Sequence, residues 1–237
     1  MSADVQQAVS HEPSGSGALR PKARLLRTLG SDLISSDKVA LIELVKNSYD
    51  ADASVVLIRF HGPLEEGKGR IEVWDDGHGM DVATLQRSWL DIATDTKRRR
   101  PRSDRGRRVL GEKGIGRLAA ARLGHEMMLV TRMTNADEVK LLIDWTDFDR
   151  EDAYLDQIEV AWEVGAPDVF SDSGAAIDTF SAAENETWHH GRGTVVQIDR
   201  LSRAWDREDL LELRTALTRL IRPRPGTVSS LASAEDA

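Results

Sequence analysis

The sequence contains no cysteine in its 237 residues. That excludes a disulfide framework and any thiolate metal site. No apolar run approaches the ~18 residues that argue for a membrane span. Met1 to Gly17 is polar and contains Gly and Ser, without the apolar stretch of a signal peptide. A soluble, cytoplasmic protein is therefore expected. No Gly-Lys-Ser/Thr occurs, so a Walker A loop is absent, and no internal repeat is present. The net charge of −8 disfavours nonspecific nucleic-acid binding by the whole domain, but leaves a local basic patch open.

The chain is long enough for one sizeable core. Residues 1–19 read as a disordered leader with little to bury, residues 20–222 as one domain, and residues 223–237 as a frayed tail. Within the domain, Arg20 to Ile34 reads as a short amphipathic segment broken by Gly30. Ser35-Ser36-Asp37 offers N-caps for a helix running to about Asp50, with Val39, Ile42, Val45 and Tyr49 as its core stripe and Leu41 and Leu44 widening it. Strands are expected at Val55–Phe60, Arg70–Trp74, Glu126–Met133, Val139–Trp145, Ile158–Val164 and Thr194–Ile198. Helices are expected at Asp81–Leu90, Arg117–Leu123 and Asp206–Ile221. Two stretches stand outside these elements: an Arg-rich lid at about 91–110, and a polar surface insertion at about 165–192. The lid's cations could approach bound phosphates or another macromolecule, yet it lacks the interleaved aromatics of a nucleic-acid site.

Three boxes carry the chemistry. In Glu43-Leu-Val-Lys-Asn47-Ser-Tyr-Asp50-Ala51, Glu43, Asn47 and Asp50 recur at four and three residues and share one helix face. A carboxylate able to polarise water then lies beside an amide oxygen able to ligate Mg²⁺. In Asp75-Asp76-Gly77-His78-Gly79-Met80, strand parity puts Asp75 on the core face with Ile71 and Val73. A buried carboxylate needs a donor, and an adenine amino group is a suitable one. In Gly111-Glu112-Lys113-Gly114-Ile115-Gly116, glycines admit a polyphosphate, and the following helix directs free amides at it. Lys113 could add a cation. Gly114-Ile-Gly-Arg-Leu-Ala119 also fits a dinucleotide-binding turn, but the residues before it are an Arg-rich loop rather than a buried strand.

In this order the boxes resemble the GHKL superfamily of ATPase domains, which includes gyrase B subunits, heat-shock-90 chaperones, sensor histidine kinases, MutL and MORC proteins. Ser35 to Ala51 looks most like the heat-shock-90 form of the first box, and Gly191-Arg-Gly-Thr-Val195 resembles the strand closing the adenine pocket. The resemblance implies an α+β fold of the Bergerat type: a two-layer sandwich, its mixed, largely antiparallel sheet carrying helices on one face. It implies ATP and Mg²⁺ as cofactors, with Glu43 as the general base and Asn47 as the metal ligand. Asp50 and Ala51 fall near the adenine end, Asp75 takes the adenine amino group, and Thr194 joins the water network around Asp75. Gly77 and Gly79 admit the base and Met80 packs on it, while Gly111, Gly114, Ile115 and Gly116 cradle phosphate. It further implies lid closure, an ATP-dependent homodimer, and a further domain or protein partner. Where hydrolysing relatives bring a cation from a second domain, either Lys97 or Lys113 substitutes here or the chain is a fragment. A clamp with negligible hydrolysis, or phosphotransfer in trans, are the alternatives.

Overall fold

The computed structural model describes residues 16, 18–90, 102–111, 118–171 and 191–221. Lys97, Lys113, Gly114, Ile115 and Gly116, and the expected tail 223–237, lie outside the described residues, as does most of the expected leader.

The described chain runs α1 (Leu25–Leu33), α2 (Asp37–Asp50), β1 (Val56–His61), β2 (Arg70–Asp75) and α3 (Val82–Leu85), which continues as a π-helical turn to Leu90. It resumes with α4 (Leu118–Leu123), β3 (Gly124–Arg132), β4 (Glu138–Asp144), β5 (Ala161–Gly165), β6 (Gly193–Leu201) and α5 (Arg207–Ile221). The six strands form one sheet in the order β1-β2-β6-β3-β4-β5. Every pairing between them is antiparallel. This is the expected α+β sandwich, and it removes the dinucleotide-turn reading, which requires a parallel sheet.

Alternation along each strand builds the core. The helix-facing rows are Ile71–Ile198–Met127–Ile143 and Val73–Val196–Leu129–Leu141, all buried. The next row out is Asp75–Thr194–Thr131–Val139, where three polar side chains replace aliphatic ones on the same buried face. That substitution marks the site.

Helices α1, α2 and α4 cover this face with Leu26, Leu41, Leu44, Leu118 and Leu123. Ser36 begins α2 in extended backbone, and its hydroxyl accepts the Val39 amide at 3.2 Å. The buried arc of α2 is Ala40, Leu41, Leu44, Val45 and Ser48: the expected Leu41, Leu44 and Val45 are in it, while Ala40 and Ser48 take the places expected for Ile42 and Tyr49. Small residues at both ends of that arc let the helix sit close, and Tyr49 turns outward beneath the Arg107 guanidinium. Gly30 does not break α1. A Cβ there would sit 3.3 Å from the Leu118 carbonyl, so the glycine serves close helix crossing, and packing offsets its weak propensity.

The opposite face of the sheet is partly closed by the start of the expected polar insertion. Phe170 is fully buried against Val130, Val195 and Trp74. Its amide donates to Glu138, and its carbonyl accepts from Arg132 at 2.6 Å. An apolar residue in a polar run reads as surface until the face awaiting it is known.

Candidate functional site

Asp75 ends β2 and faces Ser48 of α2. One carboxylate oxygen accepts the Ser48 hydroxyl and the other the Gly77 amide, each at 2.9 Å. These two bonds fix the plane of the carboxylate and leave lone pairs unused. Burial pushes the Asp75 carboxyl up. The Gly77 amide and Ser48 hydroxyl pull it back, neighbouring Asp76 raises it again, and it comes to rest at about 6. Asp76 faces away, accepting the Ser54 and Val55 amides and so starting β1.

Beside Asp75 stand the hydroxyls of the same row. Thr194 pairs in register with both Asp75 and Thr131. The Thr131 hydroxyl is fully buried, accepts the Met80 amide at 2.9 Å and donates to the Gly193 carbonyl at 3.0 Å. It meets the Thr194 hydroxyl at 3.0 Å. The backbone around this knot is crowded. Gly79 has φ of 67°, and a Cβ there would lie 1.8 Å from the Arg132 carbonyl oxygen. At Gly193, φ of 141°, the added carbon would lie 2.1 Å from the Asp75 carbonyl oxygen. Both glycines therefore let backbone approach backbone at the floor of the site.

Further along α2, Glu43 and Asn47 are half-buried on one face, one turn apart. The Glu43 carboxylate accepts Lys46 Nζ at 2.6 Å. Asp50 does something the helix pattern did not foretell. Its two oxygens accept the Leu110 and Gly111 amides, at 2.7 and 3.1 Å, so the end of α2 holds the first residue of the third box. Ala51 closes α2, and its carbonyl accepts the His78 amide at 2.9 Å, joining the first box to the second.

The structure thus brings together Asp50, Ala51, Asp75, Gly77, Gly79, Met80, Gly111 and Thr194 through direct contacts, and places Glu43 and Asn47 earlier on the same helix. Sequence reasoning missed Ser48 and Thr131. Each carried a faint signal, a small polar residue on the buried phase of its element: Ser48 four residues after Leu44, and Thr131 two after Leu129.

A family described as histidine kinase-, DNA gyrase B- and HSP90-like ATPase matches residues 34–175, more than half of the chain. The chain belongs to this family. Membership of a GHKL-type ATPase family supports ATP binding, and the match spans α2 and the sequence of both glycine boxes. Among curated proteins none matches the chain. No described helix is long and apolar enough to cross a membrane.

The residues present suit the family's cofactors. A pinned carboxylate with free lone pairs matches a neutral amino donor. Among the described residues no group of three or more His, Asp or Glu forms a metal cage. A single amide oxygen on α2 suits Mg²⁺, which keeps several waters and takes nucleotide phosphates as partners.

Proposed function

We propose that this chain is a Mg-ATP-binding and -hydrolysing domain, in which ATP drives lid closure and dimerisation or partner engagement. The observation that carries the reading is Asp75: a buried carboxylate oriented by Ser48 and Gly77, in one cross-strand row with Thr194 and Thr131, with its carboxyl held near 6. Such a group gains most from a ligand that donates to its ionised form. An exocyclic amine supplies that donor, and Met80 borders the same space.

With adenine seated at Asp75, the phosphates extend along α2 toward Gly111. Asn47 supplies an oxygen to Mg²⁺. Glu43, one turn earlier, holds the attacking water and takes its proton as the water oxygen bonds to the γ-phosphorus and the bond to ADP breaks. Bound Mg²⁺ supplies charge neutralisation on the phosphates. Lys97 and Lys113 are the proposed local cations. The first box, closest to the heat-shock-90 form, favours a motion passed to a second copy or a further domain.

Steady-state phosphate release from Mg-ATP, measured beside Glu43→Ala, tests this. Release should fall to background in the variant while ATP affinity stays near wild type; loss of both together would reject the role. Light scattering with a non-hydrolysable analogue should show doubled mass, and an unchanged mass would remove the dimer.

One observation favours a slower machine, the alternative of a nucleotide-gated clamp. One Glu43 oxygen already accepts Lys46 Nζ at 2.6 Å, so the attacking water has to compete with that contact for its place on the carboxylate. Lys46→Met should then raise turnover severalfold; an unchanged or lower rate would remove that restraint.

A further inference from the structure

Asp52 lies just past the end of α2 and is buried, in left-handed backbone with φ of 61°. The three boxes give it no task. Both oxygens of its carboxylate are nevertheless engaged. One oxygen accepts the Ser103 hydroxyl at 2.6 Å and the other the Arg105 amide at 3.0 Å. Arg107 Nε lies 3.8 Å from the same carboxylate.

The partners belong to one compact turn. Arg102 and Arg108 bridge across it, the Ser103 amide donates to the Arg107 carbonyl, and the Gly106 amide donates to the Ser103 carbonyl. The Arg105 guanidinium also reaches the Asp52 carbonyl and the Ser54 hydroxyl, and Arg107 reaches the Ala53 carbonyl at 2.7 Å. Burial pushes the Asp52 carboxyl up, but the Ser103 hydroxyl, the Arg105 amide and the two guanidiniums more than offset this and hold it below the ordinary range. Two arginines of the expected lid are thus spent on backbone carbonyls and a buried acid.

The geometry points to Asp52 as a positioning residue for phosphate recognition: it clamps the 102–108 turn to the end of α2, and so sets where Gly111 enters the glycine box. The role rests on the ATP-binding reading above. Asp50 holds the Leu110 and Gly111 amides only if the chain arrives at them from the right place, and the clamp three residues upstream delivers it. A Gly111 amide whose place is fixed before phosphate arrives has less freedom to lose on binding it. The adenine end rests on Asp75, Thr131 and Thr194 and does not need the clamp.

Glycine and asparagine both tolerate left-handed backbone, so Asp52→Gly and Asp52→Asn alter the carboxylate without straining the turn. The test compares ADP and adenosine affinities of both variants, and of Ser103→Ala, with hydrogen exchange at Arg105, Leu110 and Gly111 in nucleotide-free protein. Asp52→Gly should keep adenosine affinity, lose ADP affinity on the order of tenfold through lost charge-assisted bonds, and speed exchange at all three amides. Asp52→Asn and Ser103→Ala should fall between. Equal losses for both ligands, or no loss for ADP, overturn the role. A wild-type chain that binds neither ligand overturns the nucleotide reading and this role with it. Exchange then reports separately whether the clamp exists.

Discussion

Asp75 holds its proton to about pH 6, whereas an unfolded aspartate releases it near pH 4. Between those values the folded chain binds a proton that the unfolded chain has lost, so stability falls as pH rises through the window. Above it the full penalty, roughly 3 kcal/mol, stands. Asp75→Asn removes the ionisation. Its melting temperature relative to wild type should therefore climb from pH 4 to pH 7, and a difference independent of pH would contradict the burial argument. On the proposed assignment, ADP binding at pH 5.5 should release a proton, seen as a buffer-dependent heat, and Asp75→Asn should abolish it. Thr131→Val leaves the Met80 amide and the Gly193 carbonyl without their buried partner. It should cost about 1–3 kcal/mol of unfolding free energy, and a loss under 0.5 kcal/mol in urea titrations would mean the backbone finds other partners. Asp75 was legible because strand parity alone sends it inward. Ser48 and Thr131 were not, because a hydroxyl on a buried phase shows its value only once a partner from a distant strand stands beside it.

At the scale of elements, α2 carries the first box and bonds to the other two, through Ser48 to Asp75, Ala51 to His78 and Asp50 to Gly111. Its start is fixed by Ser36, and Asp37 in its first turn holds Arg122 of α4 and Arg203 ahead of α5. Lys38 reaches Asp209 and Glu212 on α5. The helix is thereby tied at one end to the two helices beside it, and at the other, through Asp50, to Gly111. Ser36→Ala should cost about 1 kcal/mol, read from a shifted urea midpoint at unchanged slope; an unchanged midpoint would show that Asp37 and the tertiary ties suffice. The existence of α2 and its cap were readable from Ser-Asp followed by periodic apolar residues. Leu41, Leu44 and Val45 of the buried arc were readable too; that Ala40 and Ser48 complete it instead of Ile42 and Tyr49 was not, because a small residue shows its value only against the surface it approaches. Gly30 misled for a related reason: its closeness to Leu118 outweighs propensity, and only the crossing partner reveals that.

At the scale of the molecule, six strands were visible as alternating runs, and the sandwich followed from resemblance. Their order was not visible. Nothing local in Gly193–Leu201 says that it inserts between β2 and β3, far from its neighbours in sequence. That placement governs how the chain reaches its fold. The central strand is the last strand made, so on a ribosome β1–β2 and β3–β4–β5 emerge as two separate antiparallel pieces, each with an open edge. Neither piece can assemble the Asp75–Thr194–Thr131 row. The sheet closes only after the whole stretch through Leu201 has appeared, a non-local step that should be slow and exposed to aggregation. A chain ending before Gly193 should stay unfolded or self-associate, and a synthetic Gly193–Leu201 peptide added in trans should partly restore its circular dichroism. The strand that brings the site together is also the one the growing polypeptide must wait for.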